Sequence, residues 1–182
     1  MKILELNSEN VISEINNIIY RQEECMVWGI PDNHYAFTGY QNNIINYNNM
    51  DKYNVRILNF PNEGGAIITS KGDLDLGHFS KDVNNTFNID IANKLEAYLK
   101  NKNINARFIG NDLIVDNKYK CGSFSSRRFK DLLYSAFHIS INVNLQIIRD
   151  ICIKPMSDSK IPKGLSDYGI TTEEIKNLII NH

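Results

Sequence analysis

The sequence predicts an α+β fold in which mixed or antiparallel sheets are flanked by helices. The chain has 182 residues, the size of one ordinary domain. Its hydrophobic residues, 42% of the total, are enough to fill a two-layer core. Segments with strand-like alternation and segments with helical spacing follow each other irregularly, with several turns suited to hairpins. We therefore assign residues 1–182 to a single domain.

The first half of the chain combines one helix with short strands. Apolar residues recur at helical spacing from Asn10 to Glu24, and Ser8 is placed to cap this helix. The polar stretch from Tyr40 to Asn49 has no periodicity and predicts a loop or a broken helix over a site. Strands are predicted at residues 26–28, 34–38, 54–58 and 66–69.

The second half is richer in signals that define where elements begin and end. A helix is predicted at 90–100, because its apolar stripe has an acid at the start and a base at the end, as the helix dipole favours. Asp116 and Asn117 suit a hairpin turn, and Thr171 with Glu174 forms a capping box before a last helix. The remaining predictions are strands at 106–109, 112–115, 118–121 and 132–143, a short helix at 145–151 and a loop at 155–164.

Composition excludes several classes of protein. Twenty basic and twenty-one acidic residues leave a net charge of -1, which gives no field to attract nucleic acid. Three cysteines without paired spacing argue against a disulfide framework or a zinc site and fit a reducing cytoplasm. No apolar run approaches the roughly 20 residues of a membrane helix, and the charged start does not resemble a signal peptide. We expect a cytoplasmic protein that binds neither nucleic acid nor membrane.

Two segments stand out as candidate sites, although each also fits ordinary turn chemistry. Gly64, Gly65 and Ala66 follow an irregular loop and could turn unhindered amides toward an anion. The second segment, 110–123, carries carboxylate, amide, ammonium and hydroxyl groups within one hairpin. No strong cofactor motif is present, and the four histidines lack ligand-like spacing, so we expect structural or solvated roles for them. Cys121 beside Lys120 is either an activated thiol or, more simply, a small buried residue.

The order and spacing of these segments resemble the lipoate-protein ligase family, within the biotin/lipoate ligase and octanoyltransferase superfamily. Residues 110–123 follow the family pattern Gly-Arg-Asn-Asp-Leu-x-Val-Asp-Gly-x-Lys-x-Ser-Gly-Ser closely. Residues 39–42 are similar to its Gly-Arg-Tyr-Gln-Asn segment without the arginine, and residues 54–57 are similar to its Asn-Val-Arg-Leu. The resemblance covers nearly the whole chain and implies the catalytic-domain fold of these ligases.

The resemblance also implies a reaction. Such ligases activate lipoate with ATP and magnesium to lipoyl-adenylate, and then pass the acyl group to a lysine of a lipoyl carrier domain. The family lysine corresponds to Lys120, the catalytic residue, and the family aspartate to Asp112, the expected magnesium ligand. An accessory domain supplied by a separate protein is a further expected partner. The residues expected to bind adenylate or acyl group are Tyr40, Gly64, Gly65, Ala66, Asn111, Asp112, Gly122 and Ser123, with Ile67 near the acyl arm.

The glycine loop departs from the family pattern Arg-Arg-x-Ser-Gly-Gly-Gly with a later histidine. Here residues 59–69 have lost both arginines, one glycine and the histidine, and Glu63 adds a negative charge. A degenerate member that binds an acyl ligand, an adenylate or a protein without turnover is therefore the alternative function. Two further alternatives are a biotin ligase, which residues 139–144 faintly suggest, and an octanoyltransferase that would need Cys25, Cys121 or Cys152 as nucleophile.

Overall fold

The computed structural model describes residues 2–39, 44–59, 67–82, 84–153 and 160–180, which form two sheets and four α-helices. The helices are α1 (Val11–Arg21), α2 (Phe87–Asn101), α3 (Leu145–Ile151) and α4 (Thr172–Ile180). The strands are β1 (Lys2–Glu5), β2 (Cys25–Gly29), β3 (Tyr35–Thr38), β4 (Arg56–Asn59), β5 (Ile67–Thr69), β6 (Leu74–Ser80), β7 (Ala106–Ile109), β8 (Asp112–Val115), β9 (Tyr119–Phe129), β10 (Leu132–Ile139) and β11 (Ile161–Pro162). The predicted α+β class is confirmed.

The large sheet has the strand order β1-β2-β6-β10-β9-β8-β7, with β11 added beside β9. Its pairs are antiparallel except β1 with β2 and β11 with β9, which are parallel. The small sheet has the order β4-β3-β5 and is also mixed. No helix in the described ranges is long and apolar enough to cross a membrane.

The two faces of the large sheet bury different cores. Alternate strand residues, such as Leu76 and Phe137, pack against α2 and α4 in the main core. The opposite face carries a smaller core, in which Ile15 and Ile18 of α1 lie against Phe79 and Tyr134. The strands β6 and β10 therefore have apolar residues on both faces, which the pattern of a sheet covered on both sides predicts.

Several predicted boundaries are wrong for identifiable reasons. The central strand β6 was not predicted, because a strand buried on both faces lacks the alternation that marks a half-exposed one. The edge strand β1 was not predicted either. Ser8 does not cap α1, because Asn10 occupies the cap position without a side-chain hydrogen bond. The strand predicted at 132–143 ends at Ile139, and the return predicted at 118–121 continues to Phe129.

Two predictions from turn chemistry are confirmed. Asp116 and Asn117 both have positive φ, 53° and 56°, as a type I′ hairpin turn between β8 and β9 requires. At the start of α4, Thr171 accepts a hydrogen bond from the Glu174 N–H, and the Glu174 carboxylate accepts from the Thr171 N–H. These reciprocal bonds form the capping box that the sequence predicts.

Candidate functional site

A row of four polar residues crosses adjacent strands of the large sheet. Strand register pairs Asp75 of β6 with His138 of β10, His138 with Ser123 of β9, and Ser123 with Asp112 of β8. Residues paired directly across antiparallel strands point to the same face of the sheet. The polar row therefore lies on the face that α1 covers, not on the face that packs against α2.

A cavity of about 130 Å³ lies beside this polar row. Its floor includes a second row of small residues, two positions along each strand, formed by Gly77, Ala136 and Ser125. Because these side chains are small, they leave space above the sheet. Val11 and Ile15 of α1 form part of the opposite wall. Nearly all of the lining is apolar, apart from a few groups that include Asp75, Ser123 and His138. The cavity can hold an apolar chain whose polar end meets the row.

Close packing at the cavity floor leaves no room for a side chain at position 77. A Cβ atom added at this position would lie 2.7 Å from Cγ2 of Val27 and 2.9 Å from Cε2 of Tyr134. Real Cβ atoms do not approach so closely, so a larger residue would displace the Tyr134 ring. The glycine thus allows Tyr134, which is stacked on Phe79, to pack over the sheet at one end of the cavity.

At the β8 end of the polar row, two lysines converge on one carboxylate. The Lys120 Nζ lies 2.8 Å from Asp112 Oδ1, and the Lys160 Nζ lies 2.6 Å from Asp112 Oδ2. Burial alone would raise the pKa of Asp112, but the hydrogen bonds and charges of the two ammonium groups outweigh burial and lower it. Both lysines are partly exposed, so an incoming anion can reach them.

At the other end of the row, His138 is buried among acidic groups. Its Nδ1 lies 2.8 Å from Asp75 Oδ1, and its Nε2 lies 3.0 Å from Ser140 Oγ and 3.7 Å from Asp73 Oδ2. Burial alone would lower the pKa of His138, but the charge and hydrogen bond of Asp75, with the charge of Asp73, raise it. His138 and Asp75 therefore form a hydrogen-bonded pair in the wall of the cavity.

The structure brings together only part of the predicted site. Lys120, Asp112 and Ser123 lie on one face, as described above. Asn111 is exposed at the hairpin tip, where its carbonyl accepts a hydrogen bond from the Phe124 N–H. Packing explains the glycine at position 122, because a Cβ atom there would lie 2.7 Å from the His138 carbonyl oxygen. Ile67 lines the cavity, whereas the predicted residues Tyr40, Gly64, Gly65 and Ala66 lie outside the described residues.

Three residues of the site were not predicted from the sequence: Lys160, Asp75 and His138. Lys160 reaches Asp112 from 48 residues further along the chain, and no motif marks it. For His138 the sequence predicts only a structural or solvated role. Their meeting depends on strand register, which a single sequence does not reveal without the missed strand β6.

The cysteines do not favour the alternative of a Cys-dependent octanoyltransferase. Burial raises the pKa of Cys25 to about 11 and that of Cys121 to about 12. Burial also raises the pKa of Cys152. Each thiol would thus be almost wholly protonated near neutral pH, and none of the three lines the cavity.

A resident magnesium ion does not fit the donor set as the structure shows it. Both oxygens of Asp112 accept hydrogen bonds from lysine ammonium groups, so a metal would have to displace one of them. Among the described residues, no group of three or more His, Cys, Asp or Glu side chains could hold a metal ion. Asp112 as a magnesium ligand stays a prediction, and no step below depends on it.

Comparison with known proteins places this geometry in a fold family. No protein-family model and no curated protein matches the chain. Among solved structures, Plasmodium falciparum LipL1 in complex with lipoate is similar over 98% of this chain, at 20% identity and a TM-score of 0.79. The chain spans 58% of the length of that protein.

Two other lipoate ligases are almost as similar. The bipartite lipoate-protein ligase of Thermoplasma acidophilum, solved with its E2 lipoyl domain, has 16% identity and a TM-score of 0.78, covering 99% of this chain and 80% of its own. Lipoate-protein ligase A bound with ATP has 15% identity and a TM-score of 0.77, covering 99% and 82%. The chain therefore has the fold of the lipoate-protein ligases.

Proposed function

We propose that this protein transfers a lipoyl or related medium-chain acyl group from an acyl-adenylate to a lysine of a carrier domain. One observation carries the proposal: Ser123 lines a largely apolar cavity, and the neighbouring strand presents Asp112 with two converging ammonium groups. An acyl arm fits the cavity, and a phosphate or carbonyl oxygen fits the lysines.

Lys120 supplies the electrostatic part of the reaction. As the acceptor amine forms a C–N bond to the acyl carbon, negative charge grows on the carbonyl oxygen and then on the departing phosphate of AMP. An ammonium group placed beside these oxygens stabilises that charge more than it stabilises the substrate. The amine loses a proton to solvent, and the C–O bond to phosphate breaks.

Lys160 provides a second positive charge at the same place. The resemblance implies arginines in the glycine loop that this sequence lacks, and charge-assisted hydrogen bonds to phosphate would be lost with them. Lys160 comes from a different segment and lies within reach of the same anion as Lys120. When a phosphate draws one lysine away, the other still pairs with Asp112.

The relatives also support the proposed partners and cofactors. The structure of one relative with its E2 lipoyl domain supports a lipoyl carrier domain as acceptor, and its bipartite nature supports a separate accessory protein. The relatives solved with lipoate and with ATP support lipoate or lipoyl-AMP as substrate and ATP for activation. Three free cysteines fit the reducing cytoplasm as its location.

Two separate incubations test the proposal. The protein is mixed with a lipoyl domain and either synthetic lipoyl-adenylate or lipoate plus ATP and magnesium, and the mass of the domain is measured. We expect a lipoyl mass gain with the adenylate, lost in Lys120→Ala and kept in the matched surface control Lys118→Ala. A fully active Lys120→Ala, or no gain with either donor, would contradict the proposal.

A second candidate is a binder without turnover. The glycine-loop departures favour it, as does the engagement of both lysines by Asp112, which occupies one hydrogen bond of each ammonium group. Calorimetry with lipoate and with lipoyl-adenylate, run beside the mass assay, separates the two candidates. Binding without product at ordinary enzyme rates supports the binder, and product excludes it.

A further inference from the structure

Two apolar side chains converge over Gly77 and form an end wall of the cavity. Val27 comes from β2 and Tyr134 from β10, the two strands that pair with β6. The Cβ position of Gly77 lies 2.7 Å from Cγ2 of Val27 and 2.9 Å from Cε2 of Tyr134. Carbon atoms in contact stay about 3.5–4.0 Å apart, so a ligand carbon does not fit at this position.

The end wall is backed by packed core on both sides. The Tyr134 ring stacks on Phe79, with ring centroids 4.4 Å apart, and both side chains are buried. Val27 is also buried and is paired in register with Leu4 of β1, which packs against the same core. Because cores of this kind are close-packed, neither wall residue can turn aside without a cost in packing.

The end wall lies at a defined distance from the lysines. Three strand spacings, about 14 Å, separate β8, which carries Asp112, from β6, which carries Gly77. Between them the floor is formed by the small residues Ser125 and Ala136. With the acyl carbonyl beside Lys120, a placement that rests on the proposed function, an extended arm of medium length reaches the end wall.

We propose that Tyr134 and Val27 set the longest acyl chain that this protein accepts. Each methylene buried before the end wall strengthens binding about fourfold. A methylene added beyond it must displace a packed side chain, and overpacking of this kind is unfavourable. An apolar arm, such as a lipoyl or octanoyl chain, meets apolar groups at the end wall, so length is the property that is selected there.

Calorimetry with free acids tests the length limit without ATP or carrier. Hexanoate, octanoate, decanoate and dodecanoate are titrated into the wild type, Tyr134→Leu, Val27→Ala and two controls. Tyr134→Phe keeps the ring, and Tyr20→Leu makes the same change as Tyr134→Leu at an exposed position.

In the wild type and both controls, we expect affinity to rise with chain length and then to fall within the series. Tyr134→Leu should reach its highest affinity at least two carbons later. It should bind dodecanoate roughly 10-fold or more tightly than the wild type does, as two further buried methylenes require. Val27→Ala should change the same ratio in the same direction, by a smaller factor.

Three results would overturn the inference: an unchanged optimum in Tyr134→Leu, a wild-type affinity that still rises at dodecanoate, or no binding of any acid. A shifted optimum in either control would also overturn it, since ring bulk at position 134 would then not set the limit. If circular dichroism shows that Tyr134→Leu does not fold, Val27→Ala decides. Transfer dependent on Lys120 is measured separately by mass, so a length limit without transfer refutes the proposed function alone.

Discussion

Replacing Asp73 with alanine should destabilise the protein strongly. This side chain is 1% exposed, and its carboxylate accepts backbone hydrogen bonds from Ser70 at 2.7 Å and from Ile141 and Asn142 at 2.8 Å each. These bonds tie the turn before β6 to the segment that leaves β10. Alanine would leave three N–H groups without an acceptor in a buried place.

The magnitude follows from those three bonds. A hydrogen bond to a charged group contributes about 1.5–3 kcal/mol, but the values do not add fully, because the chain relaxes and water enters. We expect Asp73→Ala to lower the free energy of unfolding by about 3–5 kcal/mol, and Asp73→Asn, which keeps one acceptor, by about half as much. Such a loss is a large share of the stability of an ordinary domain.

Urea denaturation followed by circular dichroism and by the fluorescence of Trp28 measures the loss. The exposed Asp131→Ala serves as control and should stay within about 0.5 kcal/mol of the wild type. A loss below about 1 kcal/mol in Asp73→Ala would refute the reasoning, since it would mean that the three N–H groups find other partners at little cost.

Three further predictions concern pH, the cavity and the last helix. Because the folded pKa of His138 is raised above 6.5, its stabilising effect is complete below pH 6.5 and is lost as pH rises through the folded pKa. Urea denaturation at several pH values should show stability falling as the pH rises above 6.5, less steeply in His138→Gln; equal slopes would disprove this. Ala136→Leu should fill part of the cavity and weaken the binding of medium-chain fatty acids, measured by calorimetry, by roughly 10-fold or more. The circular dichroism spectrum should be unchanged. An unaltered affinity would count against the cavity as the acyl site. Glu174→Ala should cost about 1 kcal/mol or more in urea denaturation through the lost capping box and the lost contacts with Tyr98 and Lys102, whereas Glu173→Ala should cost less; equal costs would argue against this role of Glu174.

Local chemistry explains why some elements could be predicted. The hairpin turn at Asp116 and the capping box at Thr171 depend on residues a few positions apart, so their signals are complete within a short window. The helix α2 could be predicted for the same reason, since its apolar stripe and the charged residues at its two ends lie in one continuous segment. Ser8 failed as a cap because neighbouring polar residues compete for the same position.

The resemblance could point to Lys120 and Asp112 as candidate site residues because both lie in one continuous hairpin. The Nζ of Lys120 does lie beside the carboxylate of Asp112 on the face with the cavity. Lys160 lies outside this hairpin, and no motif in the sequence marks it. The role proposed for it rests on its contact with Asp112, which joins segments distant in sequence.

The sequence by itself determined the class of fold and the order of most elements, along with the hairpin that carries the candidate lysine. Those features follow from periodicity and from turn and cap chemistry, which act over short distances. Only the tertiary structure decided which side chains share a face. The pairing of β6 with β10 sets Asp75 against His138, and the row of small residues beside them becomes a cavity. Strand register is fixed by the packing of both sheet faces at once, so this part of the site exists only in the folded chain.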